Sequence, residues 1–213
     1  MISAVLWDFG GVLTTSPFEA FARFEKEQGL PESFLRKVNS TNPDNNAWAR
    51  FERSKVSAEE FDQLFLEEST ALGHPISGFE VIKLLSGNIR PRMVAALERI
   101  SKGYQCVCLT NNVPAGKGPG MSRSDAEQKA VLDVMQIFDQ VIQSSRIGMR
   151  KPDPQIYSYT CEKMGVAPEQ ILYLDDLGVN LKPAAAMGMK TIKVISEDQA
   201  LQDLGAHLGQ IFD

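Results

Sequence analysis

Hydrophobic residues follow two rhythms along this chain. Ile2 to Trp7 is a continuous apolar run, as expected for a strand buried on both faces in a parallel sheet. It stops at Asp8-Phe9-Gly10-Gly11. Short strand-like runs recur at Gln105–Thr110, Gln140–Gln143, Ile171–Leu174 and Thr191–Ile195. Between them the spacing turns helical. Ser16-Pro17-Phe18-Glu19 predicts an N-cap, a proline at the first helical position and a capping-box glutamate. Phe18, Phe21 and Ala22 share one helix face, and Gly29 suits its C-terminal end. Ser57 with Glu60 predicts a second capping box, ahead of Phe61, Leu64 and Phe65. Pro91 opens a helix to Lys102, closed by Gly103. Ser124 with Glu127 predicts a third box, ahead of Ala130, Val131, Val134 and Met135. Asp153-Pro154 starts a helix that ends at Gly165, Leu181, Ala184 and Ala185 mark a short one, and a last helix runs from Glu197.

Strands alternating with helices predict an α/β fold with a doubly wound parallel sheet. Residues 17–85 show no strand pattern and are read as an all-helical cap inserted into a core made of 1–16 and 86–213. Ligands of open α/β sheets bind at the carboxyl ends of the strands. Asp8, Thr110-Asn111 and Asp175-Asp176 fall at such ends, and Lys151 lies in the turn region after Gln140–Gln143. Taken singly, each has an ordinary reading: turn residue, helix cap, solvated lysine. Their convergence on one edge points to chemistry. Three carboxylates in one crevice repel unless a cation sits among them, and Mg²⁺ suits a site of oxygen ligands that also receives a phosphate. A carboxylate beside Mg²⁺ can attack phosphorus, while Lys151 and the Thr110 hydroxyl balance and grip the phosphate oxygens.

Composition narrows the alternatives. Among 213 residues there are 27 acids and 22 lysines plus arginines, a net charge of -5, which disfavours nucleic acid or an anionic membrane as partner. The two histidines, His74 and His207, supply neither a histidine metal site nor a serine-hydrolase triad well, and both read as surface residues. Cys106, Cys108 and Cys161 show no disulfide framework spacing and read as reduced thiols. The N-terminal run lacks a basic flank, and no stretch approaches the roughly 18 apolar residues of a membrane span. A cytoplasmic location is expected, with the chain a monomer or homodimer. Gly116-Lys117-Gly118 lacks the spacing of a phosphate-binding P-loop. Trp48, Phe51, Phe61 and Phe65 read as core of the inserted block, and Arg50 and Arg53 as a solvated face or a contact for a substrate anion.

Two longer stretches carry a resemblance. Lys151-Pro152-Asp153-Pro154-Gln155-Ile156-Tyr157 and Leu174-Asp175-Asp176-Leu177-Gly178-Val179-Asn180-Leu181-Lys182, with Asp8 and Thr110, resemble the haloacid dehalogenase-like hydrolase superfamily, in particular the phosphatase-like domains of bifunctional epoxide hydrolases and of some acyl-CoA dehydrogenases. That resemblance implies that Asp8 is the phosphoryl-accepting nucleophile and a Mg²⁺ ligand, that Gly10 offers a carbonyl to the metal, and that Asp176 binds it directly. It further implies that Lys151 steadies the nucleophile, that Asp175 orients Lys151 or a metal-bound water, and that Thr110, Asn111, Gly11 and Asn180 lie on the phosphate side. The implied substrate is a small phosphorylated metabolite.

One position departs from the pattern. Phosphatases of the superfamily usually carry Asp-x-Asp in the first motif, and Gly10 stands where the second aspartate would protonate the leaving group. General acid catalysis contributes about 10²–10⁴-fold, so acyl, aryl or anomeric sugar phosphates are expected to be favoured over alkyl ones. Thr14, Thr15, a cap residue or water could supply the proton. A dehalogenase would also lack the second aspartate, but would need neither Mg²⁺ nor the acidic pair. A receiver domain carries its acidic pair after the first strand. A module that binds a phosphate ligand without turning it over is the alternative from another class, and the intact set Asp8, Thr110, Lys151 and Asp176 weighs against it.

Overall fold

The computed structural model describes residues 1–212. Five strands, β1 (Ala4–Trp7), β2 (Gln105–Thr110), β3 (Gln140–Gln143), β4 (Ile171–Asp175) and β5 (Lys190–Lys193), form one sheet in the order β3-β2-β1-β4-β5. Every pairing is parallel. The central strand β1 is buried along its whole length, which is why its sequence shows no alternation. The observed strands are shifted slightly from the apolar runs. β1 begins at Ala4 rather than Ile2, and β5 covers Lys190–Lys193 rather than Thr191–Ile195.

The chain order places eleven helices around this sheet: α1 (Pro17–Glu27), α2 (Phe34–Ser40), α3 (Ala47–Glu52), α4 (Ala58–Ala71), α5 (Gly78–Ile82), α6 (Pro91–Ile100), α7 (Asp125–Met135), α8 (Ser144–Ile147), α9 (Pro154–Met164), α10 (Gly178–Ala186) and α11 (Glu197–Leu208), counted among the described residues. Val5 and Trp7 of β1 join Cys106 and Cys108 on one face, under Leu97 of α6, Val131 of α7 and Leu204 of α11. Ala4 and Leu6 join Val107 and Leu109 on the other face, under Tyr157 of α9 and Ala184 of α10. Both faces are therefore covered, the arrangement a doubly wound sheet requires. Cys106 and Cys108 are free and buried, and burial pushes the Cys106 thiol up to about 12, so it is poorly reactive at neutral pH.

All of α1–α5 lie between β1 and β2, where no strand occurs. They share a third apolar cluster built on Phe21, Phe34, Phe51, Phe61 and Phe65, with Phe51 and Phe61 stacked at 4.5 Å and Trp48 edge-on to Phe61. His74 packs edge-on against Phe34. That cluster is not closed within 17–85. Val113, in the loop after β2, is buried in it, with Ala115 and Met121 against its margin. The two connections to the sheet run side by side, where Thr14 and Ile89 form an antiparallel bridge and Arg90 N–H donates to Leu13 O at 2.8 Å.

Helix starts follow the capping residues, with two differences from expectation. Ser57 and Glu60 form a full capping box: Ser57 N–H donates to Glu60 Oε2 at 2.7 Å and Glu60 N–H to Ser57 Oγ at 3.2 Å. Ser16 and Ser124 cap α1 and α7 by accepting backbone N–H groups, but their glutamates do not reciprocate. Glu127 Oε2 instead takes the Arg123 N–H at 2.9 Å. Helix α6 stops at Ile100, short of Lys102. No helix among the described residues is long and apolar enough to cross a membrane.

Candidate active site

Parallel register gathers the polar residues. Trp7 is paired with Cys108 on one side and Leu174 on the other, so the chain leaves β1 at Asp8 beside the end of β4 at Asp175. Thr110 ends β2 opposite Gln143 of β3. Carboxylate oxygens of Asp8, Asp175 and Asp176 lie within 4.8 Å of one another. Lys151 is buried to 1% exposure, with Nζ 2.9 Å from Asp8 Oδ1 and 2.7 Å from Asp175 Oδ2.

Asp8 and Asp175 differ in what they leave free. Asp8 Oδ1 accepts from Phe9 N–H at 2.7 Å as well as from Lys151, and no protein donor among the described residues reaches Oδ2. Asp175 is fully engaged. Oδ1 accepts from Leu177 N–H at 2.8 Å and Asn180 Nδ2 at 3.0 Å, and Oδ2 from Lys151, Asn180 and the Tyr173 hydroxyl. Asp175 thus orients Lys151 and offers little room for a metal. Asp176 accepts only Ser16 Oγ, at 3.1 Å, from another side chain.

The charges in this crevice do not balance on their own. Burial raises the Asp8 pKa well above the ordinary carboxylate range; Lys151 opposes the rise, and Asp175 and Asp176 add to it. Burial, then Asp175, raises Asp176 to about 6, against the pull of Lys151 and Ser16. Burial alone would lower the Lys151 pKa, but the facing carboxylates Asp175 and Asp8 outweigh it and hold the ammonium above its usual value. The residues present fit a divalent cation: Asp8 Oδ2 and Asp176 are open oxygens in an acid-rich, histidine-free cleft.

Other expected site residues have different partners. Asn111 does not present its amide to the crevice: Nδ2 donates to Lys151 O and Oδ1 accepts from Lys151 N–H, both at 2.9 Å. Asn180 spends its amide on Asp175, and its carbonyl accepts from the Tyr157 hydroxyl at 2.6 Å. These two asparagines therefore brace Lys151 and Asp175, because a buried amide takes the nearest complementary partner. Thr110 is buried and no protein group takes up its hydroxyl among the described residues. Gly11 adopts φ +75°, and a Cβ there would stand 2.1 Å from Asp176 Oδ2. Gly10 is half-buried in ordinary backbone, and a Cβ there would meet nothing closer than Pro17 Cδ at 4.0 Å. Thr14 and Thr15 are occupied where the two connections meet: Thr14 Oγ1 donates to Thr15 O, and Thr15 Oγ1 accepts from Asn88 N–H.

Sequence reasoning missed four contributors. Tyr173 sits two residues before Asp175 on the same strand face, a spacing that could have revealed it. Ser16 was legible as a helix cap but not as the partner of Asp176. Glu52 and Arg150, paired at 2.5 Å across the helical insertion and the sheet, carry no local signal at all.

The family model described as haloacid dehalogenase-like hydrolase matches residues 2–188. The chain belongs to that family. Phosphatases are among its relatives: it is 26% identical to the phosphorylated carbohydrates phosphatase of Thermotoga maritima over 96% of this chain and 92% of that protein. It is 32% identical to mouse acyl-CoA dehydrogenase family member 10 and 30% identical to mouse bifunctional epoxide hydrolase 2, over 97% of this chain in each case. The chain spans 19% and 39% of the lengths of those two proteins. A haloacid dehalogenase-like enzyme of Bacteroides thetaiotaomicron, solved with magnesium and inorganic phosphate, shares the fold at a TM-score of 0.61 and 20% identity, covering 92% of this chain and 97% of that one.

Proposed function

We propose that this chain is a Mg²⁺-dependent phosphatase that passes a phosphoryl group through Asp8 and favours small phosphorylated metabolites with good leaving groups. The observation that carries the reading is the asymmetry of Asp8: Oδ1 is pinned by Lys151 and Phe9 N–H while Oδ2 has no protein donor among the described residues, in a cluster where carboxylate oxygens of Asp8, Asp175 and Asp176 lie within 4.8 Å of one another. Magnesium in the solved Bacteroides thetaiotaomicron enzyme, and the fit of the acid cluster here, support Mg²⁺ as the cofactor. Asp8 and Asp176, with the Gly10 carbonyl, would hold it, and it would neutralise phosphate oxygens as negative charge develops.

A carboxylate oxygen of Asp8 attacks phosphorus in line with the leaving oxygen, whose bond to phosphorus breaks. Lys151 holds Asp8 in place and offers positive charge to the transferring group, and the Thr110 hydroxyl donates to a phosphate oxygen. Water then attacks phosphorus, releasing inorganic phosphate and the Asp8 carboxylate. No side chain at position 10 protonates the leaving oxygen, so leaving groups that are stable as anions turn over best. Residues 17–85 act as the cap that roofs the crevice over a core of 1–16 and 86–213. Ser16, one hydrogen bond from Asp176, also lines a cavity of about 210 Å³ with Arg23, Lys83 and Arg123 beside Glu19 and Glu27, a polar space that suits a polar leaving group.

Purified protein with Mg²⁺ is expected to release phosphate from p-nitrophenyl phosphate, and Asp8→Asn to abolish release. Gly10→Asp, which the space at position 10 accommodates, should raise turnover of alkyl phosphates by up to about 10²-fold. Phosphate binding without turnover of aryl, acyl or sugar phosphates would overturn the reading in favour of a binding module.

A further inference from the structure

Glu52 is the last residue of α3, buried to 5% exposure, and three side chains converge on it. Oε2 accepts from Arg150 Nε at 2.5 Å and from Asn111 Nδ2 at 3.4 Å, and Oε1 from Trp48 Nε1 at 3.0 Å. Arg150 reaches further into the insertion, donating to Pro43 O at 3.0 Å. Both core partners bear on the same residue. Arg150 precedes Lys151 in the chain, and Asn111 binds the Lys151 backbone through its N–H and its carbonyl. A third link, Ser54 Oγ to Ser145 O at 2.7 Å, lies alongside.

Such a pair is a poor device for stability. Taking a carboxylate and a guanidinium out of water costs about as much as their attraction returns, and apolar residues of similar volume often serve as well. What a buried, multiply bonded ion pair does supply is a single register between the surfaces that carry it. Here one surface is the helical insertion and the other is the turn that aims Lys151 Nζ between Asp8 and Asp175.

We propose that Glu52 is a positioning residue: by bonding Arg150 and Asn111 together, it makes the placement of Lys151 depend on the helical insertion being closed over the sheet. Opening the insertion withdraws Glu52, frees Arg150 and the Asn111 amide, and slackens the backbone that carries the lysine. The phosphoryl-transfer geometry is then complete only when the crevice is covered and water is excluded. This rests on the phosphatase reading for its kinetic consequence but not for its structural one.

The test uses Glu52→Met/Arg150→Met, which removes both charges together and leaves neither buried alone. Ser57→Ala serves as control, weakening α4 without touching this network. Two quantities are read in the full chain: steady-state hydrolysis of p-nitrophenyl phosphate with Mg²⁺, and amide hydrogen exchange across residues 147–153. The double variant should keep a thermal midpoint near wild type, lose roughly tenfold or more in kcat with KM little changed, and exchange faster over 147–153. Ser57→Ala should lower the midpoint and leave kcat and that exchange unchanged. The proposal is overturned if the double variant keeps wild-type kcat and exchange, or if Ser57→Ala reproduces its effects. Should wild type show no hydrolysis, the phosphatase reading falls and the exchange contrast alone decides the positioning role. If the double variant does not fold, Glu52→Gln should show both effects at smaller size, and wild-type behaviour there overturns the proposal equally.

Discussion

A Cβ at position 11 would lie 2.1 Å from Asp176 Oδ2, whereas one at position 10 has open space around it. Two adjacent glycines therefore have unlike grounds. Gly11 takes φ +75° and lets the Asp176 carboxylate approach the backbone, so Gly11→Ala should displace Asp176. Mg²⁺ is expected to raise the thermal midpoint of wild type and not that of Gly11→Ala, read by calorimetry with and without the ion. Asp176 also sets a pH dependence. Burial and Asp175 raise its pKa to about 6 in the folded chain from about 4 when unfolded, so between those values the folded state holds the extra proton. Stability from this group is thus present below pH about 4 and is lost as pH rises through about 6. Bound Mg²⁺ would relieve the same repulsion at neutral pH. It should raise the midpoint more at pH about 7.5 than at about 5, and Asp176→Asn should erase most of that difference. Chain position announced Asp8, Thr110, Lys151, Asp175 and Asp176. It could not show that the Asn111 and Asn180 amides are spent on Lys151 and Asp175, because those partners are 40 and 5 residues away and meet only in the folded crevice.

Helix starts were written in local residues because capping is a contact within one turn. Ser57 with Glu60, Ser16-Pro17 and Asp153-Pro154 all mark observed N-termini. Where a cap glutamate had a better partner the local rule failed, as Glu127 shows by taking the Arg123 N–H. Ser57→Ala should cost about 1 kcal/mol, read as a lower denaturation midpoint. Strand identity was equally plain, since β1, β2 and β4 are buried on both faces but for Gln105, and their runs are apolar except at the ends Gln105, Thr110 and Asp175. The short α8, which follows β3 directly and precedes Lys151, left no pattern that four residues could carry. Its start is fixed at a distance: Ser144 Oγ bonds both the N–H and the carbonyl of Asn112 at 3.0 Å.

Across the molecule, the insertion and the sheet are not separate bodies in packing terms. Val113 belongs to the loop after β2 yet is 2% exposed within the apolar cluster of α1–α5. Val113→Ala should therefore destabilise the chain by roughly 2 kcal/mol, two methyl groups plus the cavity they leave. Hydrogen exchange should speed throughout 17–85 as well as in the loop itself, whereas a change confined to 113–122 would show the insertion standing on its own.

The sequence by itself determined the class of this fold and the chemistry its sheet edge offers. Apolar runs, capping residues and the placement of acids after strands are local properties, and local properties survive in one dimension. What only the tertiary structure decided is which of those polar groups remain free. Parallel register brought Asp8, Asp175, Asp176 and Lys151 together, and the competition for hydrogen bonds inside a dry crevice then sorted them. Asp175, Asn111 and Asn180 became braces, Asp8 kept one open oxygen, and Glu52 of the helical insertion met Arg150 and Asn111, the neighbours of Lys151. Partner choice depends on distances in space, and no spacing along the chain encodes it.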